Sequence, residues 1–178
     1  RVTALQVPHR DELSETVGFI VRGPTRALLW LPDIDKWRRW DRELAAVLAS
    51  VDVAYVDATF FDGAELPGRD MAEIPHPFIV ETLAAVADLP ASERAKLRLV
   101  HLNHPHPALH ADSDARPRVE AAGVQVAEAG VVDPLSRPPA PRRPPDADAM
   151  AGFGLPPAPG THGPGGSAGG PRRGRPGS

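Results

Sequence analysis

Apolar residues between positions 1 and 133 fall into short runs, each closed by turn-forming residues. Val2–Val7 (VTALQV) reads as a strand ended by Pro8-His9-Arg10-Asp11-Glu12. Val17–Val21 (VGFIV) and Ala27–Leu31 (ALLWL) are two more, and the Gly-Pro pair between them predicts an antiparallel hairpin. Leu44, Val47, Leu48 and Val51 recur at the spacing of one helical face, which predicts a helix over 42–50 with Asp41 as its cap. Val53–Val56 is the next strand and closes on Asp57-Ala58-Thr59. Residues 62–76 read as one long polar loop, a length that is often functional inside a compact domain. Pro77 suits the first turn of a second helix that buries Ile79, Leu83, Val86 and Ala87. Residues 88–94 read as a loop.

The stretch Leu97–Pro107 (LRLVHLNHPHP) is a covered strand that runs into His101, Asn103, His104 and His106, with two prolines stopping further pairing. Asp112 or Ser113 then caps a helix ending at Ala122, with Gly123 as its stop, and Val124–Ala127 is a last short strand. Trp37 and Trp40 are expected to pack with their indole N–H groups at the surface. This alternation of strands and helices predicts an α/β (α+β) fold.

Composition changes at Pro134. Of the last 45 residues, 12 are Pro and 10 are Gly, too little apolar surface to offset the entropy of ordering, so 134–178 is expected to be a disordered Pro/Gly/Arg-rich tail. Residues 1–133 form the folded domain. They carry 14 Lys+Arg against 21 Asp+Glu, whereas the tail carries six Arg against two Asp. The overall charge of −3 argues against nucleic-acid binding. No apolar run approaches the ~20 residues of a membrane span, and no signal peptide opens the chain, so a cytoplasmic protein is the expectation. Arg1 is followed at once by strand material, which suggests a fragment of a longer protein.

The chain has no cysteine, so any metal site must be built from His and carboxylate, a ligand set that suits zinc, iron or manganese. Candidate residues end or follow predicted core elements: His9, Asp33, Asp35, Asp57, His76 and His104. Ligands in open α/β sheets sit beyond the carboxyl ends of the strands, where several of these would meet. Two histidines and a carboxylate make a three-ligand site with open positions. Taken singly, Asp33 and Asp57 also suit ordinary turns.

The phrases PHRDE, PDIDKW, LPGRDM, EIPHPF and HLNH, with VDVAYVDATFFD between them, resemble the pyrroloquinoline quinone (PQQ) biosynthesis protein B family, PqqB, over residues 1–133. The resemblance implies the second half of a metallo-β-lactamase-type αββα sandwich. It implies His9, Asp33 and His104 as metal ligands, Asp57 as an acidic residue supporting the site, His76 as an auxiliary histidine, and Asp35 or His76 as a proton shuttle. The fold's upstream His-x-His-x-Asp-His motif would lie before Arg1. The implied activity is hydroxylation of the tyrosine ring in a crosslinked Glu-Tyr precursor of PQQ, with iron or zinc as the metal. The partners implied are that peptide-derived precursor and other PQQ-pathway proteins, with no nucleic acid and no membrane. Carriage of PQQ or its precursor and metal-dependent hydrolysis are the alternatives. A half-sandwich leaves one sheet face bare, so association or a molten state is expected of the chain alone.

Overall fold

The structure is a computed structural model describing residues 1–66 and 68–136. The tail expected from Pro134 therefore lies, from Arg137 onward, outside the described residues. Its first residues are described. Leu135 O accepts hydrogen bonds from the backbone N–H groups of Thr25 and Arg26, and Pro134 O accepts from the Arg26 guanidinium at 3.1 Å.

Six strands form one sheet in sequence order. They are β1 (Val2–Val7), β2 (Thr16–Arg22), β3 (Ala27–Leu31), β4 (Val53–Asp57), β5 (Leu97–Val100) and β6 (Gln125–Val126). The expected hairpin is present, with β1–β2 and β2–β3 antiparallel, and β3 to β6 run parallel. Because β2 reverses twice, β1, β3, β4 and β5 all point the same way. Their carboxyl ends share one sheet edge.

Four short α-helices, α1 (Leu44–Ala49), α2 (Ile79–Ala85), α3 (Ala91–Arg94) and α4 (Ala115–Ala121), and three 3-10 turns, Trp37–Arg39, Met71–Glu73 and Pro107–Leu109, complete the described elements. Leu44, Val47, Leu48 and Val51 are all buried, as their spacing predicts, together with Ile79, Ala115 and Val119. They pack in one cluster with Leu29, Leu31, Ala54, Val56, Leu97 and Leu99, the inward residues of the central strands. The helices therefore cover one face of the sheet. The opposite face carries Val2, Val17, Phe19 and Trp30, all exposed, with Trp30 at 41 % and its cross-strand neighbour Phe19 at 37 %. One helix layer on one sheet, with an apolar second face, is half of an αββα sandwich.

Several element ends differ from the sequence reading. The cap of α1 is Glu43 rather than Asp41 and makes no side-chain bond, because Arg42 and Glu43 still lie outside the helix. Pro77 precedes the cap residue Phe78, so α2 begins two residues later than expected. Pro90 starts a turn of helix inside the expected loop 88–94. Gly123 stops α4 as expected, at φ 77°, in the left-handed region that glycine enters without strain. The indole N–H of Trp37 is not at the surface. It donates to Thr82 Oγ1 at 2.9 Å, while Trp40 Nε1 is buried without a partner.

Candidate metal centre

The shared strand edge collects the polar residues that follow each strand. Asp33 follows β3, Asp57 ends β4 and His101 follows β5. His76 comes from the long loop and is brought in by the start of α2. Ile79 N and Val80 N donate to Phe60 O and Phe61 O, which pins this segment beside the end of β4. One ligand atom from each of Asp33, Asp57, His76 and His101 lies within 4.8 Å of the others, the spacing of donors around a single cation. It is the one such group among the described residues.

Asp57 is the buried centre of the cluster, with no exposure. Its Oδ2 accepts from Ile34 N at 3.2 Å and from His76 Nδ1 at 2.7 Å. Its Oδ1 accepts from Thr59 N at 2.9 Å and the Thr59 hydroxyl at 2.7 Å. Burial pushes the Asp57 carboxyl up, but the nearby His101 ring and the bonds from His76 and Thr59 outweigh it and hold the pKa below the usual carboxylate range. An ionised carboxylate only accepts, so His76 carries its proton on Nδ1, which leaves the Nε2 lone pair as the one it could offer a cation.

His101 sits at φ 66°, the sole non-glycine residue with a positive φ among the described residues. That backbone is strained for a histidine and bends the chain as it leaves β5. Its Nδ1 lies 3.1 Å from Thr59 Oγ1 and 3.9 Å from Asp57 Oδ1. The Asp57 carboxylate raises the His101 pKa against the opposing pull of burial.

His9 flanks the group. Its Nε2 is 3.2 Å from Asp33 Oδ1, and its ring centroid is 5.2 Å from that of His76. Asp33 Oδ1 and His9 Nδ1 are buried and have no hydrogen-bond partner. A buried carboxylate oxygen that faces imidazoles without a hydrogen bond is an arrangement a cation completes, and the donor set suits a borderline metal.

The other sequence candidates lie elsewhere. His104 is exposed on the turn after His101 and does not join the cluster; His101 stands in its place. The signal was present, since His101 directly follows the strand. Three histidines within six residues hid which one meets the cluster. Asp35 is buried outside the cluster with both oxygens engaged, Oδ1 by Lys36 N and Oδ2 by Arg39 Nη1, each at 2.6 Å. Its own N–H binds Pro8 O at 2.7 Å, which ties the Asp33 loop to the residue before His9. An open cleft of about 700 Å³ begins at His9 and Asp35 and is walled by charged side chains, Arg10, Arg39, Arg69 and Glu73 among them.

A family model described as Beta-lactamase superfamily domain matches residues 1–102. The chain belongs to that family. Within it, the chain is 30 % identical over 128 residues to Coenzyme PQQ synthesis protein B of Methylobacterium nodulans, covering 67 % of this chain and 41 % of that protein. It is 25 % identical over 151 residues to the protein of the same name from Gluconobacter oxydans, covering 77 % and 49 %. The chain thus spans less than half the length of these curated relatives. The crystal structure of Zn(2+)-bound PqqB from Methylobacterium extorquens superposes with a TM-score of 0.58 at 24 % identity, covering 74 % of this chain and 50 % of that one. The fold is therefore metallo-β-lactamase-type, as the resemblance implies. No helix among the described residues is long and apolar enough to cross a membrane.

Proposed function

We propose that this chain forms the metal-holding half of a protein of PQQ biosynthesis. The observation that carries the metal reading is the group Asp33, Asp57, His76 and His101, with Asp33 Oδ1 buried inside it without a hydrogen bond and flanked by His9 and His76. Asp33, His76 and His101 hold the cation, His9 completes the shell, and Asp57 orients His76 through the 2.7 Å bond to its Nδ1. Such carboxylate–histidine pairs fix the tautomer of a metal-ligating ring. The similarity to two PQQ synthesis B proteins supports the pathway.

The reaction is hydroxylation of the tyrosine ring in the peptide-derived Glu-Tyr precursor. One oxygen atom of dioxygen enters an aryl C–H bond, and the other leaves as water with two electrons from a small-molecule reductant. When bound, iron supplies redox chemistry with dioxygen, whereas zinc supplies Lewis acidity alone. The cleft beside His9 offers Arg69 and Arg10 to the precursor's carboxylates and lets the ring approach the centre. Asp35, held by Arg39 and Lys36, shapes the floor of that cleft.

The test is metal content and oxygen uptake, for this chain and for the chain joined to an upstream half of a relative. Iron bound in about one equivalent, with oxygen consumed only when the crosslinked peptide is present, supports hydroxylation. Zinc binding without oxygen uptake overturns it in favour of hydrolysis or carriage. His101→Ala is expected to weaken metal binding at least ~10-fold and His104→Ala to leave it unchanged; the reverse result would restore His104 as the ligand.

A further inference from the structure

Lys36 lies where a lysine is costly. It is 2 % exposed, and an ammonium removed from water needs close partners. Its Nζ is 2.8 Å from Glu81 Oε2 and 3.2 Å from the centroid of the Phe78 ring. The same Glu81 oxygen accepts the Phe78 N–H at 2.8 Å and so ties off the first turn of α2. One residue further along both segments, Trp37 Nε1 donates to Thr82 Oγ1 at 2.9 Å. Two side-chain bonds, 36 to 81 and 37 to 82, therefore join the loop after β3 to the start of α2. No backbone hydrogen bond among the described residues joins these two segments.

Each segment carries one member of the metal centre. Asp33 lies three residues before Lys36, and His76 lies two residues before Phe78. Their nearest atoms, Asp33 Oδ1 and His76 Nδ1, are 3.6 Å apart. His76 is held to Asp57 Oδ2, and the Asp33 loop reaches the same oxygen through Ile34 N. That backbone bond anchors residue 34, and the docking of residues 36 and 37 on α2 fixes the loop from its other side.

We propose that Lys36 and Glu81 are positioning residues of the metal centre, a buried clamp that sets the spacing between Asp33 and His76. The proposal rests on the metal reading above. Methionine in place of Lys36 fills the same space without the directed bond. Glu81, half-exposed and still bonded to Phe78 N, can then hydrate. Removing one partner of a buried pair is costly when the charge left behind stays buried; here the remaining carboxylate reaches water, so the clamp is separable from the fold.

The experiment is zinc affinity, by competition with a chromophoric chelator, on the full chain and on Lys36→Met, Asp33→Asn and the double variant. Lys36→Met is expected to bind zinc ~10-fold more weakly, the usual loss for an outer-shell partner, with its thermal midpoint little changed. In the Asp33→Asn background the same substitution is expected to matter less than about 2-fold, because the ligand it positions is gone. Lys96→Met removes a comparable pair, Lys96 to Glu93 at 2.7 Å, away from the site and is expected to change nothing. An equal loss in both backgrounds would show general destabilisation and overturn the clamp. Unchanged zinc affinity in Lys36→Met overturns the clamp alone, while no zinc binding by the parent chain overturns the metal reading and the clamp together. Should Lys36→Met fail to fold, Glu81→Gln keeps the bond to Phe78 N–H, and the same cycle is expected to show a smaller loss that again vanishes with Asp33→Asn.

Discussion

His106 shows how one buried side chain makes stability depend on pH. It is fully buried, with its ring edge-on to Phe61, and burial pushes its pKa down to about 4. Its Nδ1 accepts the Ala108 N–H at 3.1 Å and caps the short 3-10 turn Pro107–Leu109, a role that needs an unprotonated nitrogen. Unfolded histidine titrates near 6.5, so between that pH and about 4 the unfolded chain takes up a proton that the folded chain refuses. The stabilisation is present in full above 6.5 and is lost as the pH falls towards 4. The loss amounts to about 2 kcal/mol by pH 5, from about 1.4 kcal/mol per pH unit. His106→Asn keeps a capping oxygen and removes the titration, so urea unfolding at pH 7 and pH 5 is expected to differ by that much less in the variant. Asp57 acts at lower pH. Its depressed pKa stabilises the fold above the ordinary carboxylate range and is lost as the pH falls below it. Asp57→Asn sets an amide N–H₂ against donors from Ile34, Thr59 and His76, and is expected to cost about 2–3 kcal/mol in urea unfolding at pH 7.

At the scale of elements, the strands follow their alternation closely because a one-residue slip would exchange core for surface along the whole strand. Leu29 and Leu31 are buried and Trp30 faces out, as ALLWL requires. Helix ends follow local bonds that spacing does not reveal. Asp41 has the chemistry of a cap but sits too early, and Glu81 supplies the bond at α2 from inside the helix instead. Gly123 was legible because the left-handed stop after a helix selects glycine. A Cβ there would meet nothing closer than 3.8 Å, so Gly123→Ala carries backbone strain without a clash. The expected loss is about 1 kcal/mol, read as a lower thermal midpoint, with Gly123→Asn milder.

At the scale of the molecule, the sheet presents Val2, Val17, Phe19 and Trp30 on the face without helices. Apolar surface of this kind drives association. The described chain is expected to self-associate at micromolar concentration by sedimentation and to bind a hydrophobic dye. Phe19→Lys with Trp30→Glu is expected to shift it towards monomer, since the two positions pair across β2 and β3 and leave the helix-covered core untouched. A monomeric parent chain that excludes the dye would contradict this.

Order and identity of the strands, the buried faces of α1 and α2, and the residue types available for a metal were decided by local pattern. Periodicity and turn chemistry act within a few residues, so they survive in a linear reading. Which residues meet in the candidate metal centre was decided by the tertiary structure. His101 rather than His104 depends on a positive φ where β5 ends. His76 depends on the pinning of α2 beside β4, and the inward reach of Lys36 depends on where one loop docks on that helix. Those contacts join residues 17 to 45 positions apart. Their energies exist only once the sheet edge has gathered the strand ends, which is why spacing along the chain pointed to the chemistry but not to the full set of atoms.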